Sequence, residues 1–403
     1  MKRILFVDDE PRLLQGLQRM LRPQRHEWDM LFANGGEEAL AVMAQTAVDV
    51  VVTDMRMPGM DGASLLQQVH ARFPGAMRIV LSGQFDVEAG LRAVPVAHQF
   101  LTKPCDPDKL KAAIERSSQL TGAAVPDEAT RRIVSAIGVL PSPPGVCANL
   151  LEAVQKPEVS VEEIGRIINQ DVAITAKVLQ LVNSAFFSLP REVSDVRTAV
   201  NFLGFEVLKQ LVVSAEVLKT FHPVRPIRGF SLEEFERHSQ ATANIVSVLA
   251  QRSVHGVSVM AAMLHDAGKL VLATRLPDQF ERALDESVSQ GRPLDQCERE
   301  VFGTTHAEIG GYMLNLWGLP SEAVDAISVH HKPVGVGDPS GGLNLRALIH
   351  VADALAHEQT MAPEDLPAIP SGIDINFLAD MQLTGCIPEW RSKARQVITQ
   401  ERS

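Results

Sequence analysis

Over residues 1–118, short apolar runs alternate with stretches whose leucines recur at helical spacing. Residues 4–7, 28–32, 48–52, 79–81 and 99–101 predict five strands. Leu13, Leu14, Leu17 and Leu21, then Leu65, Leu66 and Val69, then Leu110 and Ile114 predict the intervening helices. Asp106 followed by Pro107 marks the start of the last one. Strands that are apolar throughout and separated by helices imply a parallel sheet covered on both faces, an α/β doubly wound unit.

Strand patterns nearly vanish further on. Ser160 with Glu163 predicts a capped helix carrying Ile164, Ile167 and Ile168. Asp171 can cap the next, with Ile174, Val178 and Leu181 as its inner stripe. Helical spacing continues to about Ala356, with turns expected near Pro190, Pro223, Pro277 and Pro293 and a loop over 333–342. One more helix is expected near 390–399. The chain divides into an α/β unit over 1–120, a linker over 121–130, helical parts over 131–225 and 226–360, and an extension over 361–403.

A length of 403 residues allows two or three domains, and 45% apolar against 22% charged residues describes folded ones. The net charge of −11 opposes broad binding to nucleic acid or anionic membranes. Cys105, Cys147, Cys297 and Cys386 are far apart and form no CxxC pair, so neither a disulfide framework nor a thiolate zinc site is indicated. The first apolar run stops at Asp8 and Asp9, too early for a signal peptide, and no uninterrupted membrane span is read. A cytoplasmic protein is expected.

The chemistry-bearing residues of the first unit sit where predicted strands end. Asp8 and Asp9 follow the first, Asp54 ends the third, Ser82 the fourth and Lys103 the fifth. The carboxyl edge of an open parallel sheet is its ligand crevice. Carboxylates gathered there call for a divalent cation, and hard oxygen ligands suit Mg²⁺. Val7-Asp8-Asp9-Glu10, the run 54–62 (DMRMPGMDG), Leu81-Ser82-Gly83 and Lys103-Pro104 together resemble the flavodoxin-like receiver domain of two-component response regulators. The resemblance implies that Asp54 is the phosphoacceptor for a sensor histidine kinase. It implies that Asp8, Asp9, Asp54 and the Arg56 carbonyl hold Mg²⁺, and that Lys103 pairs with the phosphoryl group. Ser82 and Phe100 become the switch pair, and the Lys103-Pro104 bond is expected cis. The face near the fourth helix and fifth strand would then dock the second unit or a twin receiver, and dimerisation is left open.

In the helical region, the run 140–146 (LPSPPGV), Ile168-Asn169-Gln170-Asp171, the run 181–185 (LVNSA), the run 199–204 (AVNFLG), His265-Asp266-Ala267-Gly268-Lys269 and Trp317-Gly318-Leu319-Pro320 resemble the HDOD domain, a relative of HD phosphohydrolases. HDOD domains are regarded as signalling modules without turnover, so relay to an unnamed downstream protein is the leading expectation. The residues also permit an enzyme. His238, His265, Asp266, His306, His330, His331 and Asp353 offer imidazole and carboxylate ligands suited to Fe, Mn or Zn, with Glu234 one helical turn before His238. Such a site could cleave a phosphodiester, with Lys269 on the phosphate. The HD-GYP branch that cleaves cyclic di-GMP follows its His-His pair with Glu and a GYP loop. Here His330-His331-Lys332-Pro333 departs from both, which argues against that substrate. A third reading, a DNA-binding regulator, rests on helix–turn–helix-like spacing over 160–182. Its second helix offers only Lys177 as a cation, so nucleic acid is disfavoured.

Overall fold

The computed structural model describes residues 1–82, 93, 96–116, 127–135, 153, 160–183, 193–202, 226–250, 255–333, 343–358 and 372–401. The first unit contains β1 Lys2–Val7, α1 Pro11–Met20, β2 Trp28–Ala33, α2 Gly36–Gln45, β3 Val50–Asp54, α3 Gly62–Arg72, β4 Met77–Ser82, β5 Gln99–Thr102 and α4 Pro107–Arg116. All strand pairs are parallel, in the order β2-β1-β3-β4-β5. Ile4, Leu5 and Phe6 of β1 and the whole of β3 are buried, as a strand covered on both faces requires.

The five expected strands are all present. The third starts at Val50 rather than Val48, although Asp49 already bonds both neighbours, its N–H donating to Arg3 O at 2.9 Å and its carbonyl accepting from Met77 N at 2.8 Å. On α1, Leu14 and Leu21 turn inward while Leu13 is exposed. Leu65, Leu66 and Val69 of α3 and Leu110 and Ile114 of α4 are fully buried. The Lys103-Pro104 peptide is cis.

The second unit is helical: α5 Glu128–Ser135, α6 Val161–Ile168, α7 Val172–Asn183, α8 Leu232–Leu249, α9 His255–Leu264, α10 Ala267–Arg275, α11 Pro277–Gln290, α12 Leu294–Phe302, α13 His306–Leu316, α14 Ser321–Ser328, α15 Leu345–His357, α16 Ile375–Asp380 and α17 Ile387–Glu401. Ser160 caps α6 through Glu163 N, and Asp171 caps α7 through Ile174 N at 2.9 Å. Ile174 and Val178 are buried; the Leu181 side chain, the motif at 140–146, Pro190, Pro223 and most of the 333–342 loop lie outside the described residues. Pro277 and Pro293 mark helix starts, because a missing N–H costs nothing in a first turn. α8 packs against α9, α15 and α17, and α13 against α10 and α14.

Among the described residues, Val257–Arg275 is long and apolar enough to cross a membrane by length and composition. It spans α9 and α10 with His265 and Asp266 between them, and 78% of it is buried as core. Lys177, the one cation of α7, is also buried, with Nζ 4.2 Å from the centroid of the Trp317 ring. That leaves α7 with no exposed cation among the described residues.

The units touch. Gln99 Nε2, at the start of β5, donates to Leu316 O at 2.9 Å, and Asn315 Nδ2 donates to Arg116 O at 3.2 Å. The second unit thus meets the fifth strand at its amino end, while the fourth helix of the expected docking face lies outside the described residues. Of residues 83–95, only Ala93 is among the described residues.

Candidate functional sites

The first site lies at the carboxyl edge of the sheet. Asp8 directly follows β1 and Asp54 closes β3, both buried. Lys103, just past β5, places Nζ 2.6 Å from Asp8 Oδ2 and 2.6 Å from Asp54 Oδ1. Burial opposes the Lys103 charge, but hydrogen bonds to Asp54 and then Asp8 raise its pKa above the ordinary lysine value. The second Asp54 oxygen accepts from Arg56 N at 3.0 Å, and Glu10 N donates to Asp8 Oδ1 at 2.9 Å. Gly62 lets α3 start hard against the strand end, since a Cβ there would stand 2.1 Å from Asp54 O. Asp9 is partly exposed beside Asp8, the Arg56 side chain is exposed, and Phe100 is buried. The side chain of Ser82 lies outside the described residues. Buried Asp8 and Asp54, held close together around Lys103 with Asp9 beside them, offer hard oxygen ligands that fit Mg²⁺.

The second site is built by five separate stretches. α8 supplies His238, the corner between α9 and α10 supplies His265 and Asp266, and α13 begins with His306. The turn after α14 supplies His330 and His331, and α15 supplies Asp353. All seven expected ligands converge, in groups whose ligand atoms lie within 4.8 Å of one another. One group is Asp266, His306, His330 and His331; others join His238, His265 and Asp353. His238 Nε2 is 3.0 Å from Asp353 Oδ1, and His306 Nε2 is 3.1 Å from Asp266 Oδ1.

The outer nitrogens of three rings are anchored. Nδ1 of His265 donates to Ala262 O at 2.7 Å, Nδ1 of His330 to Ile327 O at 2.7 Å, and Nδ1 of His306 to Glu298 Oε2 at 2.6 Å. That fixes each ring with Nε2 turned toward the cluster, the arrangement by which outer partners orient metal-binding imidazoles. Buried His330 Nε2 has no hydrogen-bond partner among the described residues. Leaving such an atom unpaired is costly, and a cation resolves it. The donor set of imidazoles and carboxylates therefore fits Fe, Mn or Zn.

Burial pushes His330 down to about 3, helped by His265. Burial also opposes a charged His306, yet Glu298 and Asp266 hold its pKa up to about 9. Burial likewise opposes charge on Asp266 and Asp353, but cationic neighbours, Lys269 and His357 first among them, keep both well below the usual carboxylate range. Lys269 Nζ pairs with Asp266 Oδ2 at 2.6 Å, at the wall of a cavity of about 430 Å³ that reaches His238 and His357.

Glu234 is a correction. It lies one turn before His238 as expected, but its side chain is exposed and lines that cavity instead of joining the ligands. Two residues went unpredicted. His357 Nδ1 lies 3.2 Å from Asp353 Oδ1, one turn along the same helix, a spacing readable in the sequence. Glu298 lies in α12 with no motif around it, and only helix packing brings it to His306.

The family model for the response regulator receiver domain matches residues 4–115, and that for the HDOD domain matches residues 140–333. An uncharacterized protein of Treponema pallidum (strain Nichols) is 21% identical over 305 residues, 73% of this chain and 60% of that protein. The hydrogenase transcriptional regulatory protein HoxA of Cupriavidus necator is 35% identical over 121 residues, 30% of this chain and 24% of that protein. The chain thus spans less than two thirds of either relative. Among solved structures, the MmoQ response regulator of Methylococcus capsulatus str. Bath shares 21% identity at a TM-score of 0.49, covering 63% of this chain and 98% of that one. The signal receiver domain of an HD domain-containing protein from Pseudomonas fluorescens Pf-5 shares 32% identity at a TM-score of 0.28, covering 29% of this chain and 93% of that one.

Proposed function

Because the chain is a response regulator that joins a receiver domain over residues 4–115 to an HDOD domain over 140–333, we propose that Asp54 accepts a phosphoryl group from a sensor histidine kinase and that the HDOD unit passes the change to a partner protein by contact. The carrying observation is Lys103, whose ammonium lies 2.6 Å from both Asp8 and Asp54 at the carboxyl edge of the sheet. Mg²⁺ held by Asp8, Asp9, Asp54 and the Arg56 carbonyl would screen the acids and the incoming phosphoryl oxygens. Once Asp54 carries phosphate, Lys103 gains a more highly charged partner than the carboxylate it now meets. Ser82 and Phe100 are the residues through which that pull would spread. The test is labelling of the full chain by radioactive acetyl phosphate with Mg²⁺. Label is expected on the wild type and absent from Asp54→Asn; equal labelling of the two would exclude Asp54.

A second reading is favoured by the convergence of the His/Asp cluster and by the unpaired His330 Nε2. The HDOD unit would hold one or two transition-metal ions on His238, His265, Asp266, His306, His330, His331 and Asp353, with His357 beside them. Bound metal would supply Lewis acidity and an activated water for a phosphodiester. The chain's own contribution is orientation: three anchored imidazoles, and Lys269 positioned to meet phosphate oxygens at the cavity wall. Elemental analysis of protein purified without chelator tests metal binding, and hydrolysis of bis(p-nitrophenyl) phosphate tests turnover. Stoichiometric metal together with hydrolysis lost in Asp266→Asn supports the enzyme. Protein without metal removes it and leaves the contact relay.

A further inference from the structure

A second cavity lies away from the His/Asp cluster, between α6, α7, α8 and α9, with a volume of about 590 Å³. That lies within the range of small-molecule sites. Its floor is apolar and buried: Leu179, Ala243, Met260 and Met263. Its walls carry the amides of Gln240 and Asn244, and its rim carries Asn169, Gln170, Arg166 and Arg197. The Asn169-Gln170 pair belongs to a sequence motif that neither site above uses. None of the residues lining this cavity lines the one beside the cluster.

We infer that this cavity binds a mononucleotide, with the base on the methionine floor and the phosphate at the arginine rim. Each part of that ligand meets its matching chemistry. Thioethers are polarisable and pack well against aromatic faces, so Met260 and Met263 suit a flat base. Side-chain amides carry both donors and acceptors, which a base edge requires; Gln240 Nε2 also donates to Gln170 O at 3.2 Å, which orients its amide. Guanidinium groups bind phosphate in a bidentate fork. Gly165 helps position one of them: a Cβ there would meet Arg197 Cγ at 2.8 Å, so the bare glycine lets the Arg197 stem cross the mouth.

The rim also limits the charge of the ligand. Glu162 stands one turn before Arg166 and Asp195 lies 3.7 Å from Arg197, so the rim is nearly balanced. Asp195 is further occupied by Thr198, accepting from its N–H at 2.9 Å and its hydroxyl at 2.7 Å. A single phosphate suits that balance better than a polyanion. The site also touches both halves of the molecule's chemistry. α8 carries Gln240 and Asn244 here and His238 at the cluster, while α7 carries Leu179 here and Lys177 under Trp317.

The experiment is titration calorimetry of the full chain with AMP, GMP, CMP and UMP in chelator-treated buffer, with adenosine, guanosine, cytidine, uridine and ribose 5-phosphate as controls. At least one mononucleotide should bind saturably, and its nucleoside and ribose 5-phosphate should bind weaker by about tenfold or more. The exposed double variant Arg166→Ala, Arg197→Ala should weaken the nucleotide by about tenfold or more, because it removes both phosphate forks. Met260→Trp, which fills the floor, should abolish binding. Glu234→Gln, at the cavity beside the cluster, should leave it unchanged. No saturable binding, binding that survives the double arginine variant, or binding lost in Glu234→Gln would each overturn the proposal.

Discussion

Lys103 stands between two carboxylates at the ends of different strands, so a single ammonium serves both acids. Its removal leaves Asp8 and Asp54 close together and poorly hydrated. Lys103→Met should therefore lose about 1–3 kcal/mol in urea unfolding without Mg²⁺, and millimolar Mg²⁺ should restore more stability to the variant than to the wild type. Equal Mg²⁺ responses would show that the acids do not share a cation site. At this scale the sequence was most readable where a residue's place follows from the end of a strand. Asp8, Asp54 and Lys103 converge because parallel strands carry their carboxyl ends to one edge. The seven cluster ligands were readable from motif spacing, but Glu298 was not, since nothing local marks a residue whose partner is set by how two helices cross. Glu234 shows the opposite failure. Helical spacing fixed its face correctly, but that face meets the cavity rim before it reaches the ligands.

At the scale of elements, the cluster depends on how closely α10 and α13 approach. Gly268 makes that approach possible, because a Cβ there would fall 1.9 Å from His306 O, a backbone atom that cannot swing away. Gly310 lies on the facing side, where a Cβ would stand 3.0 Å from Gly268 N. Gly268→Ala should push α13 outward, cost about 1–3 kcal/mol and carry His306 away from Asp266. Thermal unfolding checks the first effect. Metal content per chain, compared with wild type prepared in parallel, checks the second. An alanine variant with unchanged stability and metal content would show that the two helices have slack. Helix existence was legible from periodicity, and Ser160 and Asp171 named their helix starts correctly. The exact ends of elements were less so: β3 begins at Val50, two residues after the apolar run does, and Pro277 opens a helix where only a turn was expected.

At the scale of the molecule, the Asp54 edge and the inter-domain contact lie at opposite ends of the sheet. Asp54 and Lys103 sit at the carboxyl ends of the strands, whereas Gln99 meets Leu316 at the amino end of β5. Among the described residues, a change at Asp54 would reach that contact along β5, about 3.3 Å per residue, or down α4 to Arg116 and Asn315. The receiving surface carries buried cations. Arg78 is fully buried on β4, bonded to Val96 O and Ala76 O, and Lys177 lies under Trp317. Burial, aided by Arg78, lowers the Lys177 pKa to about 7. The unfolded chain binds that proton up to the ordinary lysine value of 10.5, so the unfolded state holds more protons between the two values. Stability must then rise with pH from about 7 toward 10.5, and the cost of the buried charge is fully present below that window. Lys177→Met keeps the packing on Trp317 and removes the charge, so it should raise stability near pH 6 by roughly 1–3 kcal/mol and flatten the alkaline rise. Urea unfolding of both proteins at pH 6 and pH 9 decides it. A variant no more stable than wild type at pH 6, with the same slope, would mean that the Lys177 charge is well accommodated and that this contact holds no electrostatic tension for a signal to release.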